Sequence, residues 1–449
     1  MTKPSTRASL LAIFLALILG RLPARAADAL PSGARILDPA FLAEGEREPV
    51  ISPDGQHVAY VSRGFVTIAR VDGSEAVRVV EVKNSPSHLA ARREENAARG
   101  IGEELPVASQ RIEDLQWTHG SDAIVFTILR FEPEPRATIA DVWLAPLEGE
   151  HKRLLRIGDD SPDTMLIPTA GIVTRDLKYL VVRRHHPRPL IWNLTTGKPQ
   201  ATPYLCMTPS STSGRWIAVE KDSRELVILD ESFKVAQRCE EFFPPTRHGE
   251  LIWSPDERFV IWRNMIGFDY YSDWEGYRLD LRTRERRVLT GLGWEETIAF
   301  TGRQGEFLRA ATNLCRGPDS GSWEMASFVV MVPHGAGFPR QLTTTFRNPY
   351  NPSAASRFIG GAPPVYWSND FEDFVIGIPR EKDPIGFDLY WTNRERRLWR
   401  LSTPSNGAYI SPFPVVGFAD GGQLIVAHND SQLFAIPRAA SQSDQNKVR

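Results

Sequence analysis

The stretch Ile51-Ser52-Pro53-Asp54-Gly55, followed by His57-Val58-Ala59-Tyr60-Val61, carries the information that decides the fold. Proline fixes φ at the second position of a tight turn, and Asp and Gly tolerate the sharp return. The turn opens directly into an apolar strand. Working outward, Phe65-Val66-Thr67-Ile68-Ala69 reads as a second long strand, Asp72-Gly73 as another tight turn, and Val77-Arg78-Val79-Val80 as the strand after it. Together with the residues before Ser52, this is a unit of four short strands joined by turns.

The same order recurs. Trp253-Ser254-Pro255-Asp256 leads into Phe259-Val260-Ile261-Trp262, Tyr277-Arg278-Leu279-Asp280-Leu281 and Arg287-Val288-Leu289. Tyr366-Trp367-Ser368-Asn369-Asp370 leads into Phe374-Val375-Ile376-Gly377-Ile378, Phe387-Asp388-Leu389-Tyr390-Trp391 and Arg397-Leu398-Trp399. Weaker copies begin near Leu115, Gly171, Leu205, Ile298 and Val416. Each unit alternates apolar and polar residues over four to six positions, so no unit can bury both of its faces alone and neighbours must stack. A ring of four-stranded sheets achieves that while leaving only short edges. The expected fold is therefore all-β, a β-propeller of four-stranded antiparallel blades. Eight units are counted, or seven if one weak copy is an elaborated loop. The last unit shows three strands, near 414–418, 424–427 and 433–436, and Arg35-Ile36-Leu37 can supply the fourth and close the ring. The expected division is a signal peptide over 1–26, an N-terminal segment with the closing strand over 27–48, the propeller over 49–441 and a polar tail over 442–449.

An aromatic or Ile followed by Ser-Pro-Asp and an apolar strand resembles the repeat of TolB-type propellers. It is similar also to the propeller halves of dipeptidyl peptidase IV and prolyl oligopeptidase. The likeness extends as a pattern over nearly all of residues 49–441. In the peptidases it implies a second, catalytic domain built around a Gly-x-Ser-x-Gly nucleophile elbow, followed by Asp and His. Gly321-Ser322-Trp323 lacks the second Gly, and the 13 residues after Ile436 cannot form a hydrolase domain. None of the family's catalytic residues can be carried over, and no catalytic residue is assigned.

Lys3 and Arg7, the apolar run over 8–20 and the small-x-small site Ala24-Arg25-Ala26 read as an export signal. The run is shorter than the roughly 20 apolar residues a membrane span needs. Export places the mature chain in the periplasm or outside the cell, with no span after cleavage. Cleavage removes four basic residues and no acidic ones, moving the net charge from −2 to about −6. Nucleic acid is not expected as a partner, because phosphate binding needs a clustered positive field. Three cysteines allow at most one internal bridge, Cys206 to Cys239, which a chain of this length does not need for stability; isolated cysteines read instead as small buried apolar residues. Nothing in the spacing of Cys, His, Asp or Glu suggests a metal, and no cofactor is expected. The acid pairs Asp159-Asp160 and Glu240-Glu241 read as solvated turns.

Antiparallel strands place the first-to-second and third-to-fourth turns of every unit on one face of the ring, and those turns are short. The long second-to-third connections, at 130–138, 267–275, 315–323 and 379–386, fall on the opposite face with the blade-to-blade connections at 83–110 and 346–363. Long loops on a rigid scaffold are where binding residues concentrate. Phe268, Tyr270, Tyr271 and Trp274 make one of these loops aromatic, and Arg316, Trp323, Arg347 and Tyr350 give two others a similar character. Aromatic residues with Arg supply the anchors of peptide and protein interfaces. The functional expectation is a non-catalytic propeller that binds a peptide, a protein or an envelope component through its long-loop face. The alternative is the propeller half of a prolyl-oligopeptidase-class peptidase, of the lasso-peptide isopeptidase kind, whose catalytic domain is lost or separately encoded.

Overall fold

A computed structural model describes residues 34–41, 49–83, 85–99, 110–132, 137–157, 171–182, 189–210, 213–242, 250–266, 273–292, 295–300, 305–316, 323–332, 340–341, 346–349, 365–368, 373–380, 383–393, 398–400, 415–428 and 432–438. Their strands form eight antiparallel sheets, taken here in chain order. Sheet 1 runs from its inner to its outer strand as Val50–Ile51, His57–Ser62, Phe65–Arg70 and Ala76–Glu81. Sheets 2 to 7 repeat that order, with an extra strand, Phe346–Pro349, paired alongside Arg340–Gln341 on the outside of sheet 6. Sheet 8 takes three strands from 415–437, and its outer strand is Arg35–Asp38, paired with Leu433–Pro437.

The packing shows why the sheets stack. Among the described residues, buried apolar side chains form seven clusters, each shared by two consecutive sheets, and one of them joins sheet 8 back to sheet 1. The strand His57–Ser62 divides its residues by period two: Val58 and Tyr60 pack toward sheet 8, whereas Ala59 and Val61 pack toward sheet 2. Successive side chains of a strand point to opposite faces, and here both faces are covered. The middle strands are therefore apolar on both sides, as in Trp216–Glu220 and Leu424–His428, rather than alternating apolar with polar. First strands of successive sheets adjoin, which makes them the inner wall of the propeller. Side chains tie this wall together: Trp117 Nε1 donates to Val50 O at 2.9 Å, Gln116 Nε2 to Gly171 O at 3.2 Å, and Thr208 Oγ1 to Leu251 O at 3.0 Å.

The Ser-Pro-Asp turn has a mechanism beyond the dihedral angles of Pro and Gly. In sheets 1, 2, 3, 5 and 7 the Ser or Thr that starts the turn accepts a hydrogen bond through its hydroxyl from the amide five residues on; His57 N to Ser52 and Phe259 N to Ser254 measure 2.9 and 2.8 Å. A local side-chain acceptor of this kind closes a turn that the backbone alone leaves short of partners. The chain then returns through a left-handed residue, Gly55, Ser121, Leu177 or Glu257.

Several connections differ from the expectation. The strands at the long-loop end continue well into the segments assigned to loops: Ala123–Glu132 and Ala137–Pro146 approach within four residues of each other, and Asp373–Arg380 pairs with Asp383–Asn393. Cross-strand hydrogen bonding extends these hairpins instead of opening them into loops. Within 83–110 lies the helix Pro86–Ala98, started by Ser85, whose hydroxyl accepts from His88 N at 3.3 Å. Glu240 and Glu241 lie in the strand Val235–Phe242, not in a turn, while Asp159 and Asp160 lie outside the described residues. Cys206 and Cys239 are thiols in one apolar cluster between sheets 4 and 5 and are not bridged. Among the described residues no helix is long and apolar enough to cross a membrane, and no group of three metal-ligating side chains occurs.

Candidate functional site

The inner strands of sheets 2, 3 and 4 end in their first turns around a cavity of about 240 Å³. Its walls are Gln116 and Trp117 from sheet 2, Ile172 and Val173 from sheet 3, and Pro209 and Trp216 from sheet 4, with Pro53 of sheet 1 reaching in from one side. Small-molecule sites occupy roughly 300–1,000 Å³, so this cavity has the capacity for a side chain or two of a longer ligand. It belongs to the short-turn face.

Its walls are fixed before anything binds. The Gln116 amide bridges two sheets, donating to Gly171 O at 3.2 Å and accepting from Val173 N at 3.4 Å. Thr118 Oγ1 donates to Asp122 Oδ1 at 2.6 Å and accepts from Ala123 N at 3.1 Å; Thr174 Oγ1 likewise donates to Asp176 Oδ1 at 2.7 Å and accepts from Tyr179 N at 3.0 Å. Burial opposes ionisation of Asp176, but the Lys178 ammonium at 2.9 Å, the Thr174 hydroxyl and the Lys178 amide outweigh it and hold the carboxyl below its usual range. On the rim sit His119 and Arg175, both exposed, each one residue after the capping threonine of its turn.

The opposite end of the sheets carries the residues expected from the sequence. Trp274 lies in Asp273–Asp280, opposite Met265 on one side and Leu292 on the other. Arg316 ends one strand of sheet 6 and Trp323 begins the next, so the two form the last cross-strand pair before the hairpin tip. Arg347 lies in Phe346–Pro349, opposite Ala326 of the same sheet. Four of the eight expected residues thus stand in paired strands and not in loops, because the hairpins extend farther than the turn residues suggested. Arg316, Trp323 and Arg347 are brought into one sheet, and Trp274 stands in the sheet before it. Phe268, Tyr270, Tyr271 and Tyr350 lie outside the described residues.

The cavity residues went unnoticed in the sequence, although a signal was present. Pro53, His119 and Arg175 occupy the same second position of the capped turn. Proline there is the local optimum. Replacing it with His and Arg in two neighbouring repeats departs from the optimum on one stretch of rim.

No family model and no curated protein matches the chain. Among solved structures, the chain is similar to a eukaryotic initiation factor at 10% identity, covering 87% of this chain and 84% of that one with a TM-score of 0.47. Similarity to the tricorn protease is at 12% identity, covering 92% of this chain but 35% of that one, with a TM-score of 0.42. The β-propeller domain of the trilobed protease from Pyrococcus furiosus is 10% identical, with 73% of this chain and 93% of that one covered and a TM-score of 0.39.

Proposed function

We propose that the protein is an exported, TolB-like binding propeller that holds a peptide or protein segment in the periplasm or outside the cell, and that the short-turn mouth is its primary contact. One observation carries this reading: a cavity with apolar walls from Trp117, Ile172, Pro209 and Trp216, whose polar wall groups already hold hydrogen-bond partners, beneath a rim bearing His119 and Arg175. Such a site accepts one apolar side chain of an extended segment and favours acidic or carboxylate groups next to it. Preformed walls lower the ordering cost of binding. A peptide library panned on the mature protein, followed by titration of the best binder against Arg175→Ala and His119→Ala, tests it. The expected result is affinity reduced about tenfold or more in the double variant, with the melting temperature retained. Unchanged affinity removes the mouth as the contact.

The pairing of Arg316 with Trp323 and the placement of Arg347 in the same sheet favour a second reading, in which the long-hairpin end of sheet 6 makes the contact. Trp323→Ala with Arg347→Ala then abolishes binding where the rim variants do not.

A further inference from the structure

We propose that the mouth takes its peptide by strand addition to the inner strand of sheet 3, and that the Gln116 side chain holds the peptide's place until it arrives. The inference rests on the mouth reading above and specifies how the segment is held there. Gly171–Val173 is paired on one side with Tyr179–Val182, and its other edge is the inner edge of the sheet. Gln116 reaches that edge from sheet 2, donating through Nε2 to Gly171 O at 3.2 Å and accepting at Oε1 from Val173 N at 3.4 Å. A carbonyl and an amide that flank one strand residue on the same edge are the groups an adjacent strand of either sense engages. A carboxamide that fills both, one as donor and one as acceptor, does locally what a neighbouring main chain would do.

Side chains that tie the inner wall elsewhere fill a single carbonyl, as Trp117 does at Val50 O and Thr208 at Leu251 O, at 2.9 and 3.0 Å. Both Gln116 bonds are longer than the roughly 2.9–3.0 Å common for N–H donors. Gln116 is half-buried and lines the cavity beside Ile172 and Val173, so a segment seated in the cavity lies against this edge. Backbone groups carried out of water need partners. An extended segment brings an N–H to Gly171 O and a C=O to Val173 N, so the exchange leaves neither strand group unpaired and releases the carboxamide toward water. Main-chain pairing of this kind supplies affinity, and pockets for alternate side chains supply specificity. The class of ligand is therefore an extended segment with an apolar residue for the Trp117 and Trp216 walls and no proline at the residue that donates to Gly171 O.

The test takes the peptide selected by panning on the mature protein and titrates it, with a set of analogues each N-methylated at one backbone position, against wild type and Gln116→Met. Methionine keeps an unbranched side chain at the wall and removes both hydrogen bonds. Methylation at the donating position is expected to weaken binding to wild type about tenfold or more, and methylation of the residues next to it to have little effect. The unmethylated peptide is expected to bind Gln116→Met about tenfold more tightly than wild type, because the competing amide is gone. Equal or weaker binding by Gln116→Met, or a scan in which no methylation weakens binding, overturns strand addition. The scan uses the wild-type protein, so it decides even where Gln116→Met fails to fold. If either negative result comes with lost affinity in the His119→Ala, Arg175→Ala double variant, the mouth reading stands and only strand addition falls. Unchanged affinity in that double variant removes the mouth reading itself.

Discussion

The two ends of the sheets are built on opposite plans. At the short-turn end, the turns lock sheet to sheet: Asp420 N donates to Gly55 O at 2.9 Å, Asp54 N to Ser121 Oγ at 3.0 Å, and Arg215 Nη1 to Glu257 Oε2 at 2.8 Å. Arg278 continues the belt from sheet 5 to sheet 6, donating to Gly305 O at 2.8 Å across the Phe259 ring. At the other end the contacts described are mostly within a sheet, as Arg238 shows by holding Glu220 and Glu225 of its own sheet 4. The helix Pro86–Ala98 is fastened there to sheet 1 by Arg63, which reaches Glu94 at 3.1 Å. Uniformly short turns can interlock, because each meets a neighbour of its own shape; hairpins of unequal length cannot. One end therefore provides rigidity, and the other is free to vary.

The largest effect expected from breaking this contrast is at Phe259. It is fully buried, packs on Phe300 and sits under Arg258 and Arg278. Phe259→Ala is expected to cost about 3–5 kcal/mol in a urea titration, because it removes the ring on which the belt between sheets 5 and 6 rests. Next come two glycines with positive φ, one at each end. A Cβ at Gly55 would stand 2.8 Å from Asp420 N, a backbone atom of sheet 8, and one at Gly64 would stand 2.4 Å from His88 Cβ on the helix. Gly55→Ala is expected to lower global stability by about 2 kcal/mol or more. Gly64→Ala is expected to act locally, raising amide exchange in Pro86–Ala98 while the other sheets keep their protection. Equal loss of protection throughout the molecule in both variants would break the contrast between the ends.

Ser254→Ala is expected to cost about 1–2 kcal/mol, because the buried Phe259 amide loses its side-chain acceptor. Thermal melts of this variant beside Ser52→Ala sharpen how far each repeat relies on its own cap. The belt also has an acid limit. Burial alone would raise the Asp280 carboxyl, yet the Arg258 guanidinium at 2.7 Å and the amides of Arg282 and Thr283 prevail and set its pKa at about 2. The folded value lies below the ordinary 3.8, so this contribution is complete above about pH 4 and is lost as pH falls toward 2. Arg258→Gln is expected to flatten that part of the stability curve, by on the order of 1 kcal/mol. The smallest effect is expected at Val288, 71% exposed on the outer strand of sheet 5: Val288→Thr is expected to move the midpoint by less than about 0.5 kcal/mol.

How much was legible differs between the same two ends. Strand order and turn positions could be read because a Ser-Pro-Asp turn and a run such as Phe259-Val260-Ile261-Trp262 encode their own conformation over five or six residues. The hairpin lengths were misjudged at Arg316 and Trp323, where polar and aromatic residues suggested a loop and cross-strand pairing made a ladder. Pairing energy comes from a partner strand, and the single strand does not display it. The cavity was invisible for a related reason: Pro53, Trp117, Arg175 and Trp216 become neighbours only when four repeats are set side by side.

What this sequence determined by itself is the repeating unit, because apolar period and capped turns act within a few residues of one another. Tertiary structure alone decided which turn meets which, and that three arginines converge on one buried aspartate, while the pairing of Arg35–Asp38 with Leu433–Pro437 bears out the closing strand read at Arg35-Ile36-Leu37. Those outcomes depend on the register and stacking of strands up to the full length of the chain apart. They are fixed by the stacking of one sheet's face on the next, a condition that no repeat can satisfy alone.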